Sequence, residues 1–148
     1  MSAPTVFDAV VDAFAAVLGA APAVCQSIAT DEVDEVPADT TQAIEITGLD
    51  ASPLVLGGIE GNPVDWELRV RVGLYARKSG ANAGPDVGAL LAAAYARLAA
   101  NRNLGLGDDV YISEPAIGFG VDRKAQRLAS RDLIYTVRCR TGSNSLEN

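Results

Sequence analysis

Val64-Asp65-Trp66-Glu67-Leu68-Arg69-Val70-Arg71-Val72-Gly73-Leu74-Tyr75-Ala76-Arg77-Lys78 is the stretch on which the fold turns. In an extended chain successive side chains point to opposite faces. Trp66, Leu68, Val70, Val72 and Leu74 therefore share one side, and Glu67, Arg69, Arg71, Tyr75 and Arg77 the other. The first set belongs to a core; the second makes a wet face with spaced arginines. Arg131 to Arg140 repeats the pattern, with Leu133, Tyr135, Val137 and Cys139 alternating against Ile134, Thr136, Arg138 and Arg140. Two such strands are most simply antiparallel members of one sheet.

Two helical patterns flank the long strand. Thr5 caps the first, with Asp8 at capping-box spacing, and Phe7, Val10, Val11, Phe14, Val17 and Leu18 form one apolar stripe. Gly19 and Pro22 stop it. Pro85-Asp86 open the second, whose face carries Val87, Leu90, Leu91, Ala94, Tyr95 and Leu98. Shorter strand signals lie at Ala43 to Gly48, Val110 to Ile112 and Ala116 to Val121. Between them the sequence predicts loops: acidic Asp31 to Asp39, Gly- and Pro-rich Leu49 to Pro63, a turn at Lys78 to Gly84, charged Asp122 to Arg127, and a frayed tail from Thr141 to Asn148. Leu49 to Pro63 and Arg123 to Ser130 are expected to become ordered only on assembly. The expectation is a single α+β domain over residues 1–148, an antiparallel or mixed sheet with two α-helices packed on one face.

Composition narrows the chemistry. The chain has 148 residues, 49% hydrophobic and 21% charged, which excludes disorder throughout. Twelve Lys+Arg against 19 Asp+Glu leave a net charge of −7, the wrong sign for a surface that grips duplex DNA. There are no histidines, so no Ser-His-Asp triad, Cys-His dyad or His-ligated metal can form. Cys25 and Cys139 make no CxxC and read as two small buried hydrophobes, with a disulfide between them as the alternative. Gly57-Gly58-Ile59-Glu60-Gly61 is neither a P-loop nor a dinucleotide fingerprint. Asp65 with Glu67, or Asp108 with Asp109, are the acid pairs on offer, and nothing in their spacing singles out a catalytic one. The expectation is no enzyme, no cofactor and no metal. The start of the sequence lacks a secretion signal and no span reaches membrane length, so the reading places synthesis in the cytoplasm with no membrane partner.

What remains is a surface. Arg69, Arg71, Arg138 and Arg140 lie on the outward side of two strands, and Asp31, Glu32, Asp34 and Glu35 are concentrated in one loop. A chain that is basic in one place and acidic in another can join copies head to tail, and such contacts close into rings when the rotation permits. These eight residues are the candidate subunit interface.

The layout resembles the small tail terminator, or tail completion, proteins of long-tailed bacteriophages: an amphipathic helix at Thr5 to Leu18, a strand with a Gly/Pro-rich loop, the long strand opening at Trp66, a helix at Pro85 to Leu98 and a closing strand at Arg131 to Arg140. The resemblance covers about 135 residues and is one of pattern and size. It implies a structural protein of the virion tail: a homo-oligomeric ring, typically hexameric, that caps the tail tube protein and offers the surface for joining the head through its connector protein. DNA would pass through the lumen unbound. A head–tail connector (stopper or adaptor) and a small-molecule-binding regulatory domain are the alternatives; the latter calls for a closed apolar pocket.

Overall fold

The computed structural model describes residues 5–30, 41–54, 63–77, 83–120, 128–142 and 145–147. Along the chain these form α1 (Val6–Gly19), β1 (Ser27–Ala29), β2 (Gln42–Pro53), β3 (Val64–Arg77), α2 (Gly84–Ala99), β4 (Tyr111–Ile112), β5 (Ala116–Phe119) and β6 (Leu128–Thr141). The six strands make one mixed, curled sheet in the order β1-β2-β3-β6-β4, with β5 also on β6. β1 runs parallel to β2, and the remaining pairs are antiparallel.

The two strands read from alternation are direct neighbours, with Val70 opposite Tyr135 and Val72 opposite Leu133. Leu68, Val70, Val72 and Leu74 of β3, and Leu133, Tyr135, Val137 and Cys139 of β6, are all buried. The helices cover that face: α1 packs on β1 and β2, α2 on β3 and β6, and the helices touch each other. Phe14 meets Tyr135 at 5.6 Å between ring centroids, and Phe7 meets Trp66 edge-on at 5.5 Å. The expected α+β fold is the one observed.

The capping box forms as the sequence predicts. The Asp8 amide donates to Thr5 Oγ1 at 3.1 Å, and the Thr5 amide to Asp8 Oδ2 at 3.1 Å. On α2, Tyr95 differs from the expected core face; it stands at the rim, 36% exposed.

Several expected boundaries shift. β1 carries no strand expectation of its own, and β2 runs on through Pro53, where the sequence suggests mostly loop with a short strand option only at Pro53-Leu54-Val55-Leu56. β6 begins at Leu128 and ends at Thr141, so residues 128–130 are ladder and not flexible connection. Part of the tail is tied down: the Val6 amide donates to the Leu146 carbonyl at 2.8 Å, and Thr5 bridges Glu147. The acidic stretch 31–40, the Gly-rich 55–62, the turn at 78–82 and the charged 121–127 lie outside the described residues.

Candidate functional site

Each candidate arginine is delivered by strand alternation to the sheet face away from the helices. Alternation already puts Glu67 on that face; the structure adds Glu45, Asp50 and Asp65. β2 carries a register shift between Gly48 and Asp50: Gly48 opposes Val70, and Asp50 opposes Arg69. Leu49 is the extra residue. Such a bulge re-aims the side chains that follow it. Here it turns Leu49 outward, 42% exposed, and sets the Asp50 carboxylate against Arg69 in a two-pronged contact, Nε to Oδ1 at 2.9 Å and Nη2 to Oδ2 at 2.5 Å.

Asp65 and Arg140 are register partners on β3 and β6. Arg140 Nε donates to Asp65 Oδ1 at 2.7 Å. The Arg71 guanidinium lies 3.8 Å from Glu45, whose residue is only 7% exposed. Arg138 is exposed, stands opposite Glu67 in register, and adds its field to that of Arg140 at Asp65. The hydrogen bonds from Arg69 and Arg140 hold the Asp50 and Asp65 carboxyls below their ordinary range. Four arginines thus share a face with Glu45, Asp50, Asp65 and Glu67, and local charge is close to balance. The acidic half of the candidate interface, Asp31, Glu32, Asp34 and Glu35, lies outside the described residues.

A second polar knot ties α2 to the far edge of the sheet. Tyr95 Oη donates to Glu114 Oε2 at 2.7 Å, and the Arg102 guanidinium pairs with the same carboxylate. Arg102 also donates to the Ser113 carbonyl at 3.1 Å, while its own carbonyl accepts from the Ile112 amide at 2.9 Å. Glu114 is held below the usual carboxylate range, first by Tyr95 and then by Arg102. No sequence motif announces this knot; its members come from three separate segments.

Neither acid pair considered for catalysis gathers into a site. Asp65 is bound to Arg140, and Glu67 faces Arg138. Asp108 and Asp109 sit in a turn before β4. Burial pushes both thiols up, Cys139 to about 11, so each stays protonated at neutral pH. Among the described residues no group of three or more His, Cys, Asp or Glu could hold a metal ion. The groove between α1 and β2, about 350 Å³ and lined by Phe7, Asp8, Val11, Asp12, Thr30 and Leu68 among others, opens to solvent. Among the described residues no helix is long and apolar enough to cross a membrane.

The sequence matches no protein family and no curated protein. Its fold is similar to a solved chain described as the sheath/tube terminator of an extracellular contractile injection system, PVC, in the extended state, with a TM-score of 0.53 at 13% identity. The alignment covers 100% of this chain and 61% of that one. The chain therefore spans about three-fifths of the length of the structure it matches.

Proposed function

We propose that this chain is a tail terminator: a structural subunit that assembles into a ring, closes the finished tail tube and presents the surface to which the next part of the particle attaches. The observation that carries the reading is the fold shared, over the whole of this chain, with the terminator of a contractile tail-like particle. In a phage the attached part is the head, the ring is a hexamer, and DNA crosses the lumen. A net charge of −7 suits a passage that must not hold phosphates.

Arg69, Arg71, Arg138 and Arg140 meeting Asp31, Glu32, Asp34 and Glu35 of a neighbouring copy is one contact such a ring would use. The in-chain acids beside those arginines set its strength, since a neighbour's carboxylate must compete with Asp50, Asp65 and Glu45. The test of function is direct. Purified protein mixed with tail tubes lacking their terminator should cap one end of each tube and stop its growth, seen by negative-stain imaging. Tubes of unregulated length with bare ends would overturn the reading.

A further inference from the structure

We infer that Tyr95, Arg102 and Tyr135 form a carboxylate-binding site that the chain's own Glu114 occupies, and that a carboxylate from outside the chain takes Glu114's place. The site is independent of the terminator reading and goes beyond it.

Three donors come together from separate parts of the chain. Tyr95 stands on α2, and its hydroxyl donates to Glu114 Oε2 at 2.7 Å. Arg102 follows that helix, and its guanidinium pairs with Glu114 Oε1. The third, Tyr135 on β6, is 1% exposed, and its hydroxyl has no hydrogen-bond partner among the described residues. Arg102, Tyr95 and Glu114 are the groups whose charge acts on that hydroxyl, which puts it on the buried side of the same knot. Buried polar groups are nearly always paired, so a lone hydroxyl near a carboxylate calls for a reason.

The reason is the tether of the occupant. Glu114 lies between two pinned stretches: the Ser113 amide donates to the Thr136 carbonyl at 2.9 Å, and Ala116 pairs with Ile134. A carboxylate has room for about four hydrogen bonds. Held this way, Glu114 accepts from Tyr95 and Arg102 and does not reach Tyr135. A carboxylate without that tether can take all three donors.

The frame survives the exchange. Arg102 is also held apart from Glu114, donating to the Ser113 carbonyl at 3.1 Å and accepting from the Ile112 amide at 2.9 Å through its own carbonyl. Tyr95 is fixed by its helix, and Tyr135 by Phe14, 5.6 Å away between ring centroids. Glu114 is the accessible member, its side chain 64% exposed. A planar guanidinium fork with two phenols suits a flat, singly charged oxyanion. The ligand is therefore a carboxylate, carried by a free small acid or by a Glu or Asp side chain of a partner protein.

The test titrates the whole protein with potassium acetate against potassium chloride at equal ionic strength, followed by the Arg102 side-chain and Ser113 amide resonances. Glu114→Ala vacates the site and should bind acetate about tenfold or more tighter than wild type, whose tethered occupant competes at an effective concentration on the order of millimolar or above. Adding Tyr135→Phe to that variant should cost about tenfold in acetate affinity. A knot that only ties α2 to the sheet would show no such loss. Should Glu114→Ala not fold, Glu114→Gln, which keeps the shape and loses the charge, carries the same comparison. A blocked peptide with one Glu, against its Gln counterpart, then identifies the source on the wild type. Stronger displacement of Glu114 by the Glu peptide than by acetate assigns the site to a partner's side chain, and equal displacement assigns it to a free acid. Acetate bound equally by wild type and the Glu114 variants, or bound without regard to Tyr135→Phe, overturns the site; no displacement in the wild type by either ligand overturns the exchange.

Discussion

Arg97 interrupts an otherwise apolar, alanine-rich run, and the structure gives it a task. Its guanidinium donates to the carbonyls of Val17 at 3.0 Å, Ala20 at 2.9 Å and Pro22 at 2.6 Å. The last carbonyls of a helix have no intrahelical donors and carry partial negative charge, so one cation closes the end of α1 and fixes it to α2. Arg97→Ala should lower stability by about 1.5–3 kcal/mol in urea denaturation, with Arg97→Lys recovering only part, since a single ammonium lacks the fork. Tyr135 is the opposite case. It is 1% exposed, and its hydroxyl has no hydrogen-bond partner among the described residues. Tyr135→Phe keeps the ring against Phe14 and removes an unsatisfied group, so the denaturation midpoint should hold or rise. The depressed carboxyls set a pH dependence. Asp50, Asp65 and Glu114 ordinarily titrate near 3.8, 3.8 and 4.5, and all three are lowered in the folded chain. Their contribution is complete above those values and lost as pH falls through the lower folded ones. Thermal stability should drop on acidification below that range, and less steeply in the Asp50→Asn/Asp65→Asn double variant.

At the scale of elements, legibility follows how much of each element's reason lies in its own sequence. α1 is fully legible: stripe, cap and stop are local. Thr5→Ala should cost about 1 kcal/mol by removing the cap acceptor for the Asp8 amide, measured in the same denaturation assay. β3 and β6 are legible because alternation over a long run has one reading. β1 and residues 49–53 of β2 are not. Leu49-Asp50-Ala51-Ser52-Pro53 has no β-branched residue and looks like loop; it is strand because β3 offers a ladder beside it, with Ala51 opposite Leu68 and Pro53 opposite Trp66. The bulge at Leu49 was likewise invisible, and with it the Asp50–Arg69 pair. So the arginines of the candidate site, with Glu67 among them, could be read from the sequence, whereas which acid answers which arginine could not: pairing across strands depends on register, which no single strand contains.

For the whole molecule, packing and charge act on different things. Folding rests on the apolar layer between helices and sheet: Phe14→Ala, at a fully buried position against Tyr135, should cost about 3–5 kcal/mol. Assembly, on the present reading, is where charge counts. Exposed pairs are individually weak and are screened beyond about 8 Å at physiological ionic strength. Reversing Arg69 and Arg71 together should weaken rings and their salt dependence, and reversing Asp31 and Asp34 as well should partly restore them; unchanged mass profiles across salt would leave that face to its own Asp50 and Glu45.

The bond between the Val6 amide and the Leu146 carbonyl, with Thr5 bridged to Glu147, sets positions 5 and 147 side by side. Anything genetically joined before the first or after the second emerges from one patch, so a bulky fusion there reports on a single location in the assembly, whichever side it is attached to. It also makes the chain a candidate for circular permutation: a short linker bridging those positions, with new ends cut elsewhere, should leave every strand pairing of the sheet in place.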